Sequence, residues 1–302
     1  MSDKVLVIGA CGFVGRALVE MLALRGTEVQ LVQGDGEHVS DLAVRLQQVT
    51  DFLPLLSGVS TVVHVASAST PGTSARKPLF ELRENLYPTL ALLEALQEYP
   101  RIHFVYVSSG GALIPRSGDT SSEDVAVYAT SYYGAGKVAA EQFIEAWCHQ
   151  SNGRATVFRP SNLYGPRQRG RPGFGIIPAA MGTIARGEVL QIWGDGSSGR
   201  DYLYIDDFMR LLLAAIDAPA HFGFRLLNAC SGRITSLNRL LELLESASGS
   251  TLQRIYSPAR SVDAPTVYME ATRAREIFHW VPEVELSEGL RRTWRWFVDS
   301  QR

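Results

Sequence analysis

Short apolar runs alternate along this chain with longer stretches of helical period, and the alternation predicts most of its elements. Lys4-Val5-Leu6-Val7-Ile8 is a β-branched run ending at Gly9, apolar on both faces as a strand inside a parallel sheet must be. An apolar pattern of period 3.6 then runs from Phe13 to Leu24 and predicts a helix. Glu28 to Val32, Thr61 to Ala66, Ile102 to Val107 and Ala155 to Phe158 predict further strands. Between them, Leu79 to Glu98 and about Tyr132 to Cys148 predict long amphipathic helices. Pro88 should bend the first of these, because its nitrogen has no proton for the helical ladder. Strands and helices in this order predict a doubly wound parallel α/β sheet.

From Arg159 onward the texture changes. Arg159-Pro160-Ser161-Asn162-Leu163-Tyr164-Gly165-Pro166 and a loop rich in glycine and arginine break the alternation, and shorter elements follow. The expectation is a first domain over residues 1–165 and a second, smaller α/β lobe over 166–302, with some exchange of strands between them. Ile192 to Tyr202 contains a hairpin-type turn around Gly194-Asp195-Gly196. Leu290 to Val298, with Trp294, Trp296 and Phe297, predicts a packing helix. There is no internal repeat and no low-complexity segment.

Composition narrows the function. With 302 residues, 46% of them hydrophobic, the chain can bury a large core. Its 31 acidic and 29 basic residues leave a net charge of −2, which provides no field for gathering polyanions, so nucleic acid is not expected as a partner. Cys11, Cys148 and Cys230 match no zinc-binding spacing, and no metal site is expected. No basic-then-apolar leader precedes the first strand, and no apolar run reaches the roughly 18 residues of a membrane span. The expectation is a reduced cytoplasmic protein.

Candidate chemistry gathers at the strand ends. Gly9, Gly12 and Gly15 follow the first strand and open a helix, an arrangement that lets backbone N–H groups approach a pyrophosphate. Where a dinucleotide's ribose would meet the second strand, Gln33-Gly34-Asp35 stands; Asp35 favours NAD, and NADP is not excluded. Asp41-Leu42 is a candidate contact for the adenine edge, or an ordinary helix cap. Ala66 to Ser69 and Ser108-Ser109-Gly110-Gly111 end strands on the side where parallel sheets bind ligands. His64, inside a strand, reads as a core histidine. Tyr133 and Lys137 share a helix face four residues apart; an ammonium beside a phenol favours the phenolate and would fit the tyrosine for acid/base work.

These residues resemble the extended short-chain dehydrogenase/reductases, and within them the NAD-dependent epimerase/dehydratase branch typified by UDP-galactose 4-epimerase. The resemblance runs from Val5 to about Trp296. It rests on Gly9-x-x-Gly12-x-x-Gly15, the His64-Val65-Ala66 strand end, Asn85 ahead of Thr89, Ser108-Ser109, Tyr133-x-x-x-Lys137, Arg159-Pro160-Ser161-Asn162, Arg200-Asp201-Tyr202 and Arg260-x-x-Asp263. It implies a Rossmann domain that holds NAD through Gly9, Gly12, Phe13, Val14 and Gly15, through Gln33, Asp41 and Leu42, and through Ala66, Ser67 and Ala68. Asn85, Ser108, Tyr133, Lys137 and Pro160 complete that implied set.

The resemblance further implies that Tyr133 is the catalytic acid/base and that Lys137 holds the nicotinamide ribose. A nucleotide-diphosphate sugar would be held by Asn162, Trp193, Arg200, Tyr202, Arg260 and Asp263, with Ser109 and Gly110 beside the sugar. The family places a catalytic Ser or Thr where this chain has Gly110, so Ser109 or a water is expected to complete the site. Dehydratases of the family carry an Asp-Glu pair where this chain has Gly111-Ala112, which disfavours a 4,6-dehydratase. The implied activity is a nucleotide-sugar 4-epimerase of surface-polysaccharide synthesis. A reductase of nucleotide-linked 4-keto-6-deoxy sugars is the alternative, and a cofactor-binding regulatory protein without catalysis is a third reading. A homodimer through the helices near 79–98 and 131–148 is implied as well.

Overall fold

The computed structural model describes residues 4–32, 46–115, 122–170, 175–219, 223–259 and 266–301. The strands in chain order begin with β1 (Val5–Ile8), β2 (Val29–Val32), β3 (Thr61–His64) and β4 (His103–Val107). They continue with β5 (Leu113–Pro115), β6 (Val127–Ala129), β7 (Arg154–Pro160), β8 (Asn162–Tyr164) and β9 (Val189–Trp193). The last are β10 (Gly199–Tyr204), β11 (Gly223–Ala229), β12 (Ile234–Ser236) and β13 (Gln253–Ser257).

Six of them form one sheet in the order β11-β7-β4-β3-β1-β2, every neighbouring pair parallel. Because side chains alternate across a strand, Val5, Val7, Val63, Val105 and Phe158 bury on one face and Leu6, Val62, Phe104 and Val157 on the other. The first face is covered by helices Phe13–Leu24 and Ile205–Asp217, the second by Val49–Leu56, Tyr87–Leu96 and Tyr132–Ser151. Each fully buried Phe or Leu contributes about 1.5–3 kcal/mol, so two covered faces explain why these strands carry no polar stripe.

β1 is followed in space by β2 on one side and β3 on the other, so the chain leaves the two strand ends in opposite directions. The crevice opened there is where a doubly wound sheet binds its ligand. β11 belongs to the second half of the chain but forms the edge of the central sheet. The remaining strands make three small sheets, β12-β10-β8, β13-β9 and β5-β6.

Two elements differ from the expectation. The predicted helix from Leu79 is three consecutive segments, Pro78–Glu81, a π-helical Leu82–Leu86 and Tyr87–Leu96. Pro88 cannot donate to Glu84, and the wider turn just ahead of it absorbs the missing bond. The stretch around Gly194-Asp195-Gly196 turns, with Gly194 and Gly196 at φ +82° and +77°, but joins no hairpin. β9 pairs in parallel with β13, and β10 pairs with β8 and β12.

Candidate active site

The turn after β1 is shaped by close approach. Gly9 has φ +97°, and a β-carbon there would lie 2.6 Å from the Ala66 nitrogen; one at Gly15 would lie 2.1 Å from the Gly9 carbonyl oxygen. Glycine is required at both positions. Gly12 donates to the Gly9 carbonyl at 3.0 Å and caps helix Phe13–Leu24 without a side chain, and no acidic residue stands in the first turn. The N–H groups of Phe13, Val14 and Gly15 therefore have no side-chain acceptor from the cap, which suits a pyrophosphate. The residues present fit a dinucleotide. Gln33, Asp35, Asp41 and Leu42 lie outside the described residues.

At the end of β3 the predicted residues form one network. Asn85 accepts from the Ala68 backbone at 2.8 Å and donates to the Ser69 hydroxyl at 3.0 Å and to Glu81 at 3.1 Å. Ser67 donates to the Ser69 carbonyl at 3.0 Å, and the Ser69 hydroxyl donates to Glu81. Asn85 thus holds the loop that contains Ala66, Ser67 and Ala68 against the π-helical segment.

Helix Tyr132–Ser151 starts at Ser131, whose hydroxyl accepts from Gly134 at 3.1 Å, and this cap sets where Tyr133 and Lys137 lie. The Tyr133 backbone donates to Ser74 at 3.2 Å. Burial pushes the Tyr133 phenol up from its usual value, a hydrogen bond with the Ser109 hydroxyl pulls it down, and Glu81 raises it. Lys137 is buried; its Nζ donates to the Val107 carbonyl at 2.9 Å and to the Tyr106 hydroxyl at 3.3 Å, and sits 5.8 Å from the Tyr133 ring centre. Lys137 thus lies beside the Tyr133 ring while its Nζ hydrogen-bonds to acceptors on β4. Burial lowers Lys137 to about 8, with Glu81 and then Glu141 opposing the fall.

The neighbouring serines separate. Ser109 is half-buried and its hydroxyl lowers the Tyr133 phenol, whereas Ser108 is buried and its hydroxyl donates inward to Glu141. Glu141 in turn pairs with buried Arg159, Nη2 to Oε2 at 2.6 Å and Nε to Oε1 at 3.1 Å. Gly110 donates to the Pro160 carbonyl at 2.8 Å, which ties the ends of β4 and β7 together. A β-carbon at Gly110 would lie 2.1 Å from Met269 Cε, so a methionine fills the volume that a serine there would need. Sequence reasoning missed Glu81, Tyr106, Glu141 and Met269. Two of these carried a signal: Glu81 and Glu141 stand four residues from Asn85 and from Lys137, on shared helix faces.

In the small sheet β12-β10-β8, Asn162 is exposed at the start of β8 and donates to the Asp201 carbonyl at 2.8 Å, beside Gly111. Arg200, on β10, bonds its own Gly199 carbonyl at 2.7 Å and the Ser198 hydroxyl at 3.0 Å. Tyr202 is buried edge-on against Tyr164, so its ring belongs to the core under the small sheet, and burial raises its phenol to about 12. Trp193 is exposed at the end of β9. Asp201 accepts from Ser161 at 2.5 Å and from the Ser231 and Arg233 backbones, fixing β10 against the ends of β7 and β11. Arg260 and Asp263 lie outside the described residues. Among the described residues there is no cluster of three metal-ligating side chains, and no helix is long and apolar enough to cross a membrane.

Residues 5–229 match the sequence profile of the NAD dependent epimerase/dehydratase family. The chain belongs to that family. It is 31% identical to a UDP-glucose 4-epimerase of Mycolicibacterium smegmatis, covering 99% of this chain and all of that one. A UDP-glucose 4-epimerase of Thermotoga maritima, solved with UDP-glucose, has a TM-score of 0.90 at 28% identity over 99% of this chain and all of that one. A dTDP-4-dehydro-6-deoxyglucose reductase of Escherichia coli is 26% identical over 96% of each chain.

Proposed function

We propose that this protein is an NAD-dependent nucleotide-sugar 4-epimerase with Tyr133 as its acid/base. The reading is carried by the Tyr133–Lys137 pair, whose Nζ lies 5.8 Å from the phenol ring centre, together with the glycine cradle after β1, in a chain that aligns with a UDP-glucose 4-epimerase over 99% of its length. NAD, when bound, supplies a reversible hydride acceptor. Gly9, Gly12, Gly15 and the first turn of the following helix would hold its pyrophosphate.

The protein's own residues then move protons and hold groups. Tyr133 takes the proton from the sugar 4-hydroxyl and later returns it. Ser109 donates to the same oxygen while charge develops there, and Lys137 keeps a positive charge behind both. Asn162, Arg200 and Arg260 hold the diphosphate, since guanidinium groups match its paired oxygens. The protein acts in the cytoplasm, in surface-polysaccharide synthesis, as a homodimer. The exposed Leu79, Leu82 and Tyr87, together with Phe143, support the dimer, since they leave apolar surface on both of the expected helices.

The E. coli reductase relative supports a second reading, reduction of a nucleotide-linked 4-keto-6-deoxy sugar. Purified protein is incubated with UDP-glucose and no added nucleotide. Appearance of UDP-galactose, lost in Tyr133→Phe, is expected; no interconversion, with NAD(P)H consumed by a keto-sugar, would replace the epimerase reading with the reductase.

A further inference from the structure

Glu81 is a buried acid outside the set that holds cofactor or sugar. It is 4% exposed at the end of segment Pro78–Glu81, immediately before the π-helical turn. One carboxylate oxygen accepts from Asn85 at 3.1 Å and the other from the Ser69 hydroxyl. The serine oxygen itself accepts from Asn85 at 3.0 Å, so Glu81, Ser69 and Asn85 close a three-membered network. A β-carbon at Gly136 would lie 2.7 Å from Glu81 Oε1, so the carboxylate is seated against the active-site helix between Tyr133 and Lys137. Among the described residues no lysine or arginine forms an ion pair with it.

We propose that Glu81 is a positioning residue for the Tyr133–Lys137 pair: a fixed negative charge, set by Ser69, Asn85 and the bare backbone of Gly136, that acts through Lys137 without touching the substrate. It rests on the reading of those two residues as the acid/base centre. Lys137 is faced by the Tyr106 hydroxyl from β4, by His64 from β3, by Tyr133 and Glu141 on its own helix and by Glu81. His64 is held neutral by burial, and Glu141 is bonded to Arg159 and Ser108. Glu81 is the acid in this group with no cation of its own. Its field opposes the loss of the Lys137 proton that burial favours, and it also raises Tyr133. Removing one negative charge must lower both groups together.

The NAD-loaded wild type, Glu81→Gln, Glu81→Asp and Tyr133→Phe are compared across pH by two measurements. One is interconversion of UDP-glucose and UDP-galactose. The other is tyrosinate absorbance, with the Tyr133 signal isolated as the part missing in Tyr133→Phe. Glu81→Gln is expected to move both limbs of the rate profile, and the Tyr133 titration, to lower pH by about one unit, and Glu81→Asp to restore them. A uniform loss of rate with the limbs and the titration unmoved would reduce Glu81 to a structural residue and overturn the proposal. If the wild type interconverts no sugar, the functional reading fails by itself, and the tyrosinate titration still decides the place of Glu81.

Discussion

At Tyr133 burial and the charge of Glu81 raise the phenol, and the Ser109 hydroxyl opposes them. Ser109→Ala removes the lowering influence and a donor to the sugar oxygen. We expect the limb of kcat/KM that rises with pH to move upward and kcat to fall by about 100-fold to 1,000-fold, read from a rate profile over pH. Gly110→Ser tests the adjoining volume. Its β-carbon would meet the tip of Met269, so the variant should lose about 1–3 kcal/mol in urea denaturation. Combined with Met269→Ala, the serine should regain room, and the double variant should lose less than the sum of the singles. The Tyr133–Lys137 pair was legible because helix spacing is a local property. The contact of Lys137 with Tyr106 and the carbonyl of Val107 was not, since it joins residues about 30 positions apart. Met269, still further along the chain, gave no sign that Gly110 answers to it.

The elements repeat this division between local and distant causes. The strand–turn–helix over residues 5–24 could be read directly, since its glycines stand where two backbones nearly touch. Gly15→Ala would place a methyl group 2.1 Å from the Gly9 carbonyl, and backbone cannot swing aside as a side chain can. The helix must back away from the cradle. We expect NAD affinity to fall at least about tenfold by calorimetric titration, corresponding to about 1.4 kcal/mol, with the sheet still folded by circular dichroism. The misread hairpin has the opposite lesson. Gly194-Asp195-Gly196 supplies turn chemistry, and Asp195 accepts from the Ser197 backbone at 2.9 Å, but turn chemistry alone does not say which strands pair. β13 and β12, both later in the chain, take the partners that a hairpin would have joined.

Across the whole molecule, β4, β7 and the active-site helix are tied by Ser108, Glu141 and Arg159, all buried. Glu141→Ala would strand the Arg159 charge in the interior, whose Nη1 already has no partner, and should cost about 3–5 kcal/mol in urea denaturation. The central sheet also holds two histidines, His64 on β3 and His103 on β4. Burial lowers each from 6.5 to about 3, aided by the field of Lys137 at His64 and of Arg154 at His103. Both are neutral in the folded protein over the whole interval between those values, whereas the unfolded chain takes up their protons below 6.5. The unfolded state therefore binds more protons as pH falls through that window, and stability must fall with it. Above pH 6.5 neither state differs at these sites and the contribution is flat. Below 6.5 the slope is roughly 1.4 kcal/mol per pH unit for each histidine. Urea denaturation at intervals from pH 7 down to about pH 4 should trace it. His64, whose Nδ1 has no partner, can be replaced without breaking a hydrogen bond from that atom, and His64→Leu should halve the histidine part of the slope. An unchanged slope in that variant would move the acid sensitivity of this fold from its histidines to its carboxylates.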